Sequence, residues 1–230
     1  MSAVGRDVAA DAARAFAALR QGGIAIVPNH TGYSVLGGSS GSLRRIFRTK
    51  GRQASKRNAM VGNAAWHRDL HACGSRGREI TAAITEDYDL PFGCVAPFRR
   101  DHPALRTMAP ETLEDSSVDG TIAMLLNAGT LHAALTDLSF AAGVPLFGSS
   151  ANLTGTGARF RVEDIPPEIM AIADAVIDHG LQRYHVYAAS ATLLDVETLA
   201  VVRRGACFDD ISYVLRRHFG IVLAAPAAAR

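Results

Sequence analysis

Residues 22–38 read GGIAIVPNHTGYSVLGG, and this stretch decides the class of fold. Its first half, GIAIVP (23–28), is a short unbroken apolar run closed by proline. A run of this length bounded by Gly and Pro suits a strand buried on both faces better than a helix. The second half opens a Gly/Ser-rich loop, NHTGYSVLGGSSGS (29–42). The loop directly after a buried strand is where α/β folds place residues that touch ligands. His30 is therefore either a site-lining residue or an ordinary loop residue.

Upstream, residues 7–20 predict an amphipathic helix with Val8, Phe16 and Leu19 as its large apolar residues. Asp7 caps it and Gly22-Gly23 end it. Downstream, SLRRIFRTK (42–50) predicts a short helix with Leu43, Ile46 and Phe47 inward and arginines outward. GRQASKRN is a basic loop, and AMVGN starts a strand. Residues 64–120 resist assignment: ITAAITEDY fits strand or helix, and LPFGCVAPF, with two prolines, reads as irregular. Beyond them, TIAMLL (121–126) predicts a strand, LHAALTDLSFAAG (131–143) a helix closed by Gly143, and VPLFGSS (144–150) a strand. The segment 168–180 begins helical and ends near a strand. SATLLDVE and AVVRRG predict two hairpin-related strands, and residues 209–220 a helix before a frayed tail. Alternating strands and helices give an α/β class with a mixed sheet. No repeat, linker or break divides the chain, so the expectation is one domain over 1–230.

The bulk numbers agree. The chain has 230 residues, 48% hydrophobic and 20% charged, with a net charge of +2, an ordinary globular profile. The charge is unevenly placed. No Asp or Glu occurs from Ala12 to Arg68, a window that holds Arg44, Arg45, Arg48, Lys50, Arg52, Lys56 and Arg57. Such a field attracts a polyanion, or is a solvated basic face balanced by acids elsewhere in the fold. Cys73, Cys94 and Cys207 are scattered and form no CxxC pair, against a disulfide framework. The N-terminus lacks a signal-peptide apolar region and no run reaches about 18 apolar residues. The expected location is the cytoplasm, with no membrane partner, which makes the sequon Asn152-Leu153-Thr154 a chance match.

Neither a P-loop nor a Rossmann fingerprint is present, and Ser150 and Ser190 lack the frame of a hydrolase nucleophile. GGSSG (37–41) alone reads as a flexible loop. His67 and His71 share a face if helical, with Cys73 close by. The segment is not strongly helical at its end and offers no carboxylate, so exposed or capping histidines are expected and no metal site is assigned. Two constellations stand out. Lys50-Gly51-Arg52 puts two cations in one turn, suited to gripping a phosphate chain. Ser150-Ala151-Asn152, in PLFGSSANLTGTG (145–157), ends a strand with a hydroxyl and an amide that hydrogen-bond phosphate or ribose oxygens without adding charge.

Together these residues resemble the YrdC-like family, which includes the threonylcarbamoyl-AMP synthases of tRNA modification. The lysine-x-arginine pair (Lys50, Arg52) and the serine-x-asparagine pair (Ser150, Asn152) match its pattern in order. GGIAIVPNHTGYSVLGG is similar to its first strand and loop, and ADAVIDHG, SATLLDV and VVRRGA to its closing segments. The resemblance covers about residues 10–207, leaving a C-terminal helix and tail over 208–230. It implies an open twisted sheet with flanking helices and a concave basic cavity. It also implies a nucleotidyltransfer in which threonine, bicarbonate and ATP form threonylcarbamoyl-adenylate and pyrophosphate, with Mg²⁺ assisting. The carbamate would be the nucleophile, so only positioning and charge cancellation are asked of the protein. Lys50 and Arg52 would serve that catalytic role. Ser150, Asn152, Ser190 and Arg203 or Arg204 would hold the nucleotide, and His30, Thr31, Tyr33 and Arg57 the amino acid.

The departures are specific. Where the family commonly has Thr-Asp in the first loop, this chain has Asn29-His30; where it has Lys-Pro-Leu, Lys56-Arg57-Asn58; and Leu125-Leu126-Asn127 lacks an expected arginine. A changed acceptor substrate is one consequence. The competing expectation is a non-catalytic protein whose basic cavity binds a nucleotide, tRNA or double-stranded RNA.

Overall fold

The computed structural model describes residues 7–51 and 57–224. Its strands, in chain order, are β1 (Ile24–Asn29), β2 (Gly32–Gly37), β3 (Ala59–Val61), β4 (Phe92–Pro97), β5 (Ser117–Val118), β6 (Thr121–Leu126), β7 (Leu146–Ser150), β8 (Ala175–Val176), β9 (Leu193–Asp195) and β10 (Val201–Arg203). The helices are α1 (Val8–Arg20), α2 (Ser40–Thr49), α3 (Ala64–Leu70), α4 (Ser75–Ala82), α5 (Pro110–Glu114), α6 (Thr130–Ala141), α7 (Pro167–Met170) and α8 (Phe208–Phe219). The strands form one mixed sheet ordered β10-β9-β4-β6-β3-β7-β2-β1-β8, with β5 added on β6.

Residue type explains the elements. Asp7 accepts from the Ala10 N–H at 3.0 Å and caps α1, and the spacing of Ala12, Ala15, Phe16 and Leu19 makes its buried stripe. In α2, Ser39 and Ser42 form a reciprocal capping box. Leu43 and Ile46 turn inward while Arg44, Arg45 and Arg48 stay exposed. Along β1, Ile24 and Ile26 enter one core and Ala25 and Val27 the other. Helices α1 and α6 cover the second face, and α2, α3, α4 and α8 the first. Burial on both faces is why the strand reads as an unbroken apolar run.

Two segments correct the sequence reading. Residues 32–37, read as loop, are β2, paired antiparallel with β1 from Asn29↔Gly32 to Ile24↔Gly37. Residues 92–97, read as irregular, are β4, flanked by β6 and β9. The ambiguous 80–88 segment is helical, with α4 passing into a π-type turn over Ala83–Asp87. No helix among the described residues is long and apolar enough to cross a membrane. Cys73, Cys94 and Cys207 are free and buried. The basic window finds acids from elsewhere: Arg44 meets Glu111 at 3.2 Å and Arg57 meets Asp115 at 3.6 Å.

His132, on the buried side of α6, faces the Leu125 carbonyl through Nε2 at 3.1 Å. Burial pushes its pKa from 6.5 down to about 4. Below pH 6.5 the unfolded chain takes up a proton that the folded chain refuses until about pH 4, so stability is lost as pH falls through that window. The share of His132 in the loss between pH 7 and 5 should be about 2 kcal/mol, read in urea unfolding as the difference in pH dependence between the parent and a His132→Gln chain.

Candidate functional site

The C-terminal end of α2 delivers Lys50 to the loop that follows β7. Lys50 caps the helix, with its backbone N–H donating to the Ile46 carbonyl at 3.0 Å. Its side chain is only 5% exposed. The ammonium donates to the Ser150 carbonyl at 2.5 Å, to the Asn152 carbonyl, and to Asn152 Oδ1 at 3.1 Å. The Thr154 N–H returns a bond to the Lys50 carbonyl at 3.2 Å. Ser150 donates through Oγ to Asn152 Oδ1 at 2.5 Å, and Asn152 Nδ2 donates to the Leu153 carbonyl at 2.8 Å. The lysine thus shapes the loop and holds its cation fixed against it.

This loop leans on the β1–β2 hairpin. Ser150 is the register partner of Ser34, and the Ala151 N–H donates to the Tyr33 carbonyl at 2.8 Å. Tyr33 is buried, with its hydroxyl against Asp178 Oδ1 at 3.0 Å and the Gly180 carbonyl at 2.9 Å. It also accepts the His179 N–H at 3.1 Å. Burial raises its pKa to about 12, so the phenol keeps its proton. Thr31 is buried in the hairpin turn beside it.

His30 sits at the end of β1, half-buried. Its N–H donates to the Ala128 carbonyl at 2.8 Å and its carbonyl accepts from the Tyr184 N–H at 2.9 Å. By the ladder β1 and β6 run in opposite senses, yet the residues after each meet here. The His30 ring lies so close over Gly129 that a Cβ there would stand 2.6 Å from it, and Gly129 has φ +111°. Burial, then the Arg183 guanidinium, holds the imidazole below its ordinary pKa. Beside it Asp89 accepts from Asn127 Nδ2 at 2.9 Å and meets Arg183 at 3.7 Å.

Arg203 donates through Nε and Nη2 to the Ala191 carbonyl at 3.2 and 2.8 Å. The Ser190 carbonyl accepts the Ala206 N–H at 2.9 Å. Arg204 is exposed, paired with Asp209 at 2.8 Å and stacked on Phe208 at 4.5 Å. These three belong to the β9–β10 end of the strand order, far along the sheet from β7. Segment 182–188 spans the interval, joined to His30 through Tyr184 and to α8 through the Tyr187–Asp210 bond at 3.0 Å.

Of the residues singled out from sequence, the structure gathers Lys50, Ser150 and Asn152, with Tyr33 and Thr31 behind them and His30 at the next strand end. Arg57 is exposed and turned to Asp115, and Arg52 and Lys56 lie outside the described residues. Asp89, Asn127, Arg183 and Tyr184 went unremarked in sequence as a group, because no motif joins them. A cleft of about 250 Å³ on the outer side of α2 is walled by Arg44, Arg48, Thr112 and Asp115, while Lys50 faces the Ser150 loop instead. The expectation of exposed histidines at 67 and 71 is corrected. Both are buried, and His71 does cap α3. With Cys73 they form a group able to hold a metal ion.

The chain's relatives agree with this architecture. No curated protein sequence matches it. A hypothetical protein of Streptococcus mutans superposes with a TM-score of 0.73 at 18% identity, covering 94% of each chain. P. abyssi Sua5 complexed with L-threonine gives 0.72 at 19% identity, over 95% of this chain and 64% of that one. E. coli YciO gives 0.64 at 18% identity, over 86% and 90%. The family model for Sua5, YciO and YrdC, described as telomere recombination, matches residues 17–205. The motif order, the twisted mixed sheet and this match place the chain in the Sua5/YciO/YrdC family.

Proposed function

We propose that the protein adenylates an amino-acid carbamate, in the manner of a threonylcarbamoyl-AMP synthase, in the cytoplasm. The observation that carries this reading is the joining of Lys50 to Ser150 and Asn152, a hundred residues on, by three hydrogen bonds. ATP, bicarbonate and an amino acid are the substrates, threonine the first candidate. A structural relative of this chain was crystallised with L-threonine. The carbamate oxygen attacks the α-phosphorus and pyrophosphate leaves. Lys50, with Arg52, cancels charge on the phosphates, while Ser150 and Asn152 orient them. Ser190, Arg203 and Arg204 hold the nucleotide end, and His30, Thr31, Tyr33 and Arg57 border the amino acid. The hydrogen-bond partners of Lys50 and Ser150 named above are carbonyl and amide oxygens, not carboxylates. Magnesium would therefore be carried in on the triphosphate, where it supplies charge neutralisation.

The test is pyrophosphate release with ATP, bicarbonate and each amino acid in turn. Release that requires all three is expected. No release with any amino acid, beside an active control enzyme, would remove the enzyme reading. The second reading, nucleotide or RNA binding without turnover, is favoured by the exposed arginines of α2. It predicts RNA binding that weakens steeply with salt and no heat of ATP binding.

A further inference from the structure

A second cluster of chemically versatile side chains has no part in that site. His67 lies in the last turn of α3, His71 follows at its C-cap, and Cys73 comes two residues later. Cys94 is in the middle of β4, with Met124 of β6 and Leu194 of β9 as its ladder partners. All four are buried, Cys94 completely. His67 Nδ1 stands 2.8 Å from His71 Nδ1. Cys94 Sγ is 3.9 Å from the first of these nitrogens and 3.8 Å from the second. The Cys73 sulfur and a nitrogen of each histidine all lie within 4.8 Å of one another.

Packing alone does not account for the cluster. In a pair of neutral imidazoles joined Nδ1 to Nδ1, one ring donates and the other accepts. The acceptor ring then carries its proton on Nε2, and the donor ring has a bare Nε2. Neither Nε2 has a hydrogen-bond partner among the described residues. Both rings are held with Nδ1 turned toward the other ring and Cys94, at the expense of two orphaned Nε2 atoms that an apolar set of the same volume would avoid.

We propose that His67, His71, Cys73 and Cys94 form a four-coordinate zinc site. Two imidazoles and two thiolates are the donor set zinc prefers. Around a tetrahedral zinc with bonds of about 2.0–2.3 Å, neighbouring ligand atoms stand about 3.3–3.8 Å apart. The Nδ1–Nδ1 and Cys94 Sγ–Nδ1 separations need shifts of only a few tenths of an ångström, and Cys73 closes in from within 4.8 Å of the histidines. Zinc with two thiolates and two neutral imidazoles carries no net charge, which suits a buried position. Binding releases one proton from each cysteine thiol. Thr81 Oγ1, 3.7 Å from Cys94 Sγ, and the cationic Arg78 near Cys73 support the sulfurs from outside. Four protein ligands leave no open position, so the role is structural: the metal fastens the end of α3 to the interior strand β4.

The test uses the full chain. Zinc is measured by mass spectrometry after purification in reductant without chelator, and the stripped chain is titrated with Co²⁺. About one zinc per chain is expected, and the visible spectrum of tetrahedral thiolate-bound cobalt, erased by added zinc. Cys94→Ser should weaken cobalt binding by at least about 100-fold, while Cys207→Ser leaves the stoichiometry unchanged. A reduced, folded chain that takes up neither zinc nor cobalt overturns the proposal, whether or not a Cys73–Cys94 disulfide forms in air. If Cys94→Ser fails to fold, the cobalt spectrum of the unsubstituted chain decides.

Discussion

Lys50→Met should lower pyrophosphate release by about 100- to 1,000-fold, the usual loss when a fixed charge-stabilising donor is removed. The methionine keeps the apolar stem and removes only the ammonium. Three acceptors, the Ser150 and Asn152 carbonyls and Asn152 Oδ1, then lose their donor in a nearly closed space. That should cost a further 2–4 kcal/mol or so of stability, read by urea unfolding. Lys50→Arg should rescue stability only in part, because a planar fork cannot send three donors from one nitrogen to three separate acceptors as an ammonium does. Full activity in Lys50→Met would move the chemistry away from this loop. Lost activity with unchanged stability would mean that the lysine serves the ligand alone.

Gly38→Ala should damage the fold more than any substitution in its neighbourhood. A Cβ on Gly38 would stand 1.6 Å from the Leu19 carbonyl oxygen and 2.4 Å from its carbon. Both are backbone atoms, so no rotamer change relieves the overlap. The end of α1 and the end of the β1–β2 hairpin must separate, and the bond from the Gly38 N–H to the Gly23 carbonyl, 3.1 Å, goes with them. A loss above about 4 kcal/mol is expected, or a fall in Tm of about 10 °C. Gly41→Ala, three residues on, is the control. Its Cβ would meet only Ser39 Oγ at 3.7 Å, within α2, so the change should be neutral or slightly stabilising. A Gly38→Ala chain as stable as the parent would refute the close approach.

Those two glycines show where sequence reading stops. GGSSG looked like one flexible loop, yet Gly38 is a packing contact and Gly41 an ordinary helical residue. The strands and helices that were legible, β1, β6, β7, α1, α2, α6 and α8, carry their apolar residues at a clear period or in an unbroken run. Strand β2 was hidden because it is buried on both faces and uses Gly and Ser where its neighbours approach closely. Strand β4 was hidden by Pro91 and Pro97, which bracket the strand rather than interrupt it. In the site, the order of the lysine and serine–asparagine pairs could be read from sequence, but the direction of the lysine could not. Its donors turn to carbonyls that every residue possesses. The four-residue spacing of His67 and His71 would share one face of a helix, and the two rings do converge, with His71 just past the end of α3. Spacing alone cannot tell whether that face points in or out when the helix spans only seven residues.

The strand order also sets the sequence of assembly. Strand β1 is completed on its outer side by β8, and β4 by β9, so both flanks of the sheet await residues 175–203. Lys50 likewise waits for residues 150 and 152. A chain emerging from the ribosome carries two apolar strands with bare backbone edges until its last quarter arrives, which makes it adhesive to itself. Pairings this remote in sequence also make for slow folding. The nascent chain should therefore depend on a holdase, and chains truncated before residue 175 should aggregate rather than fold in part.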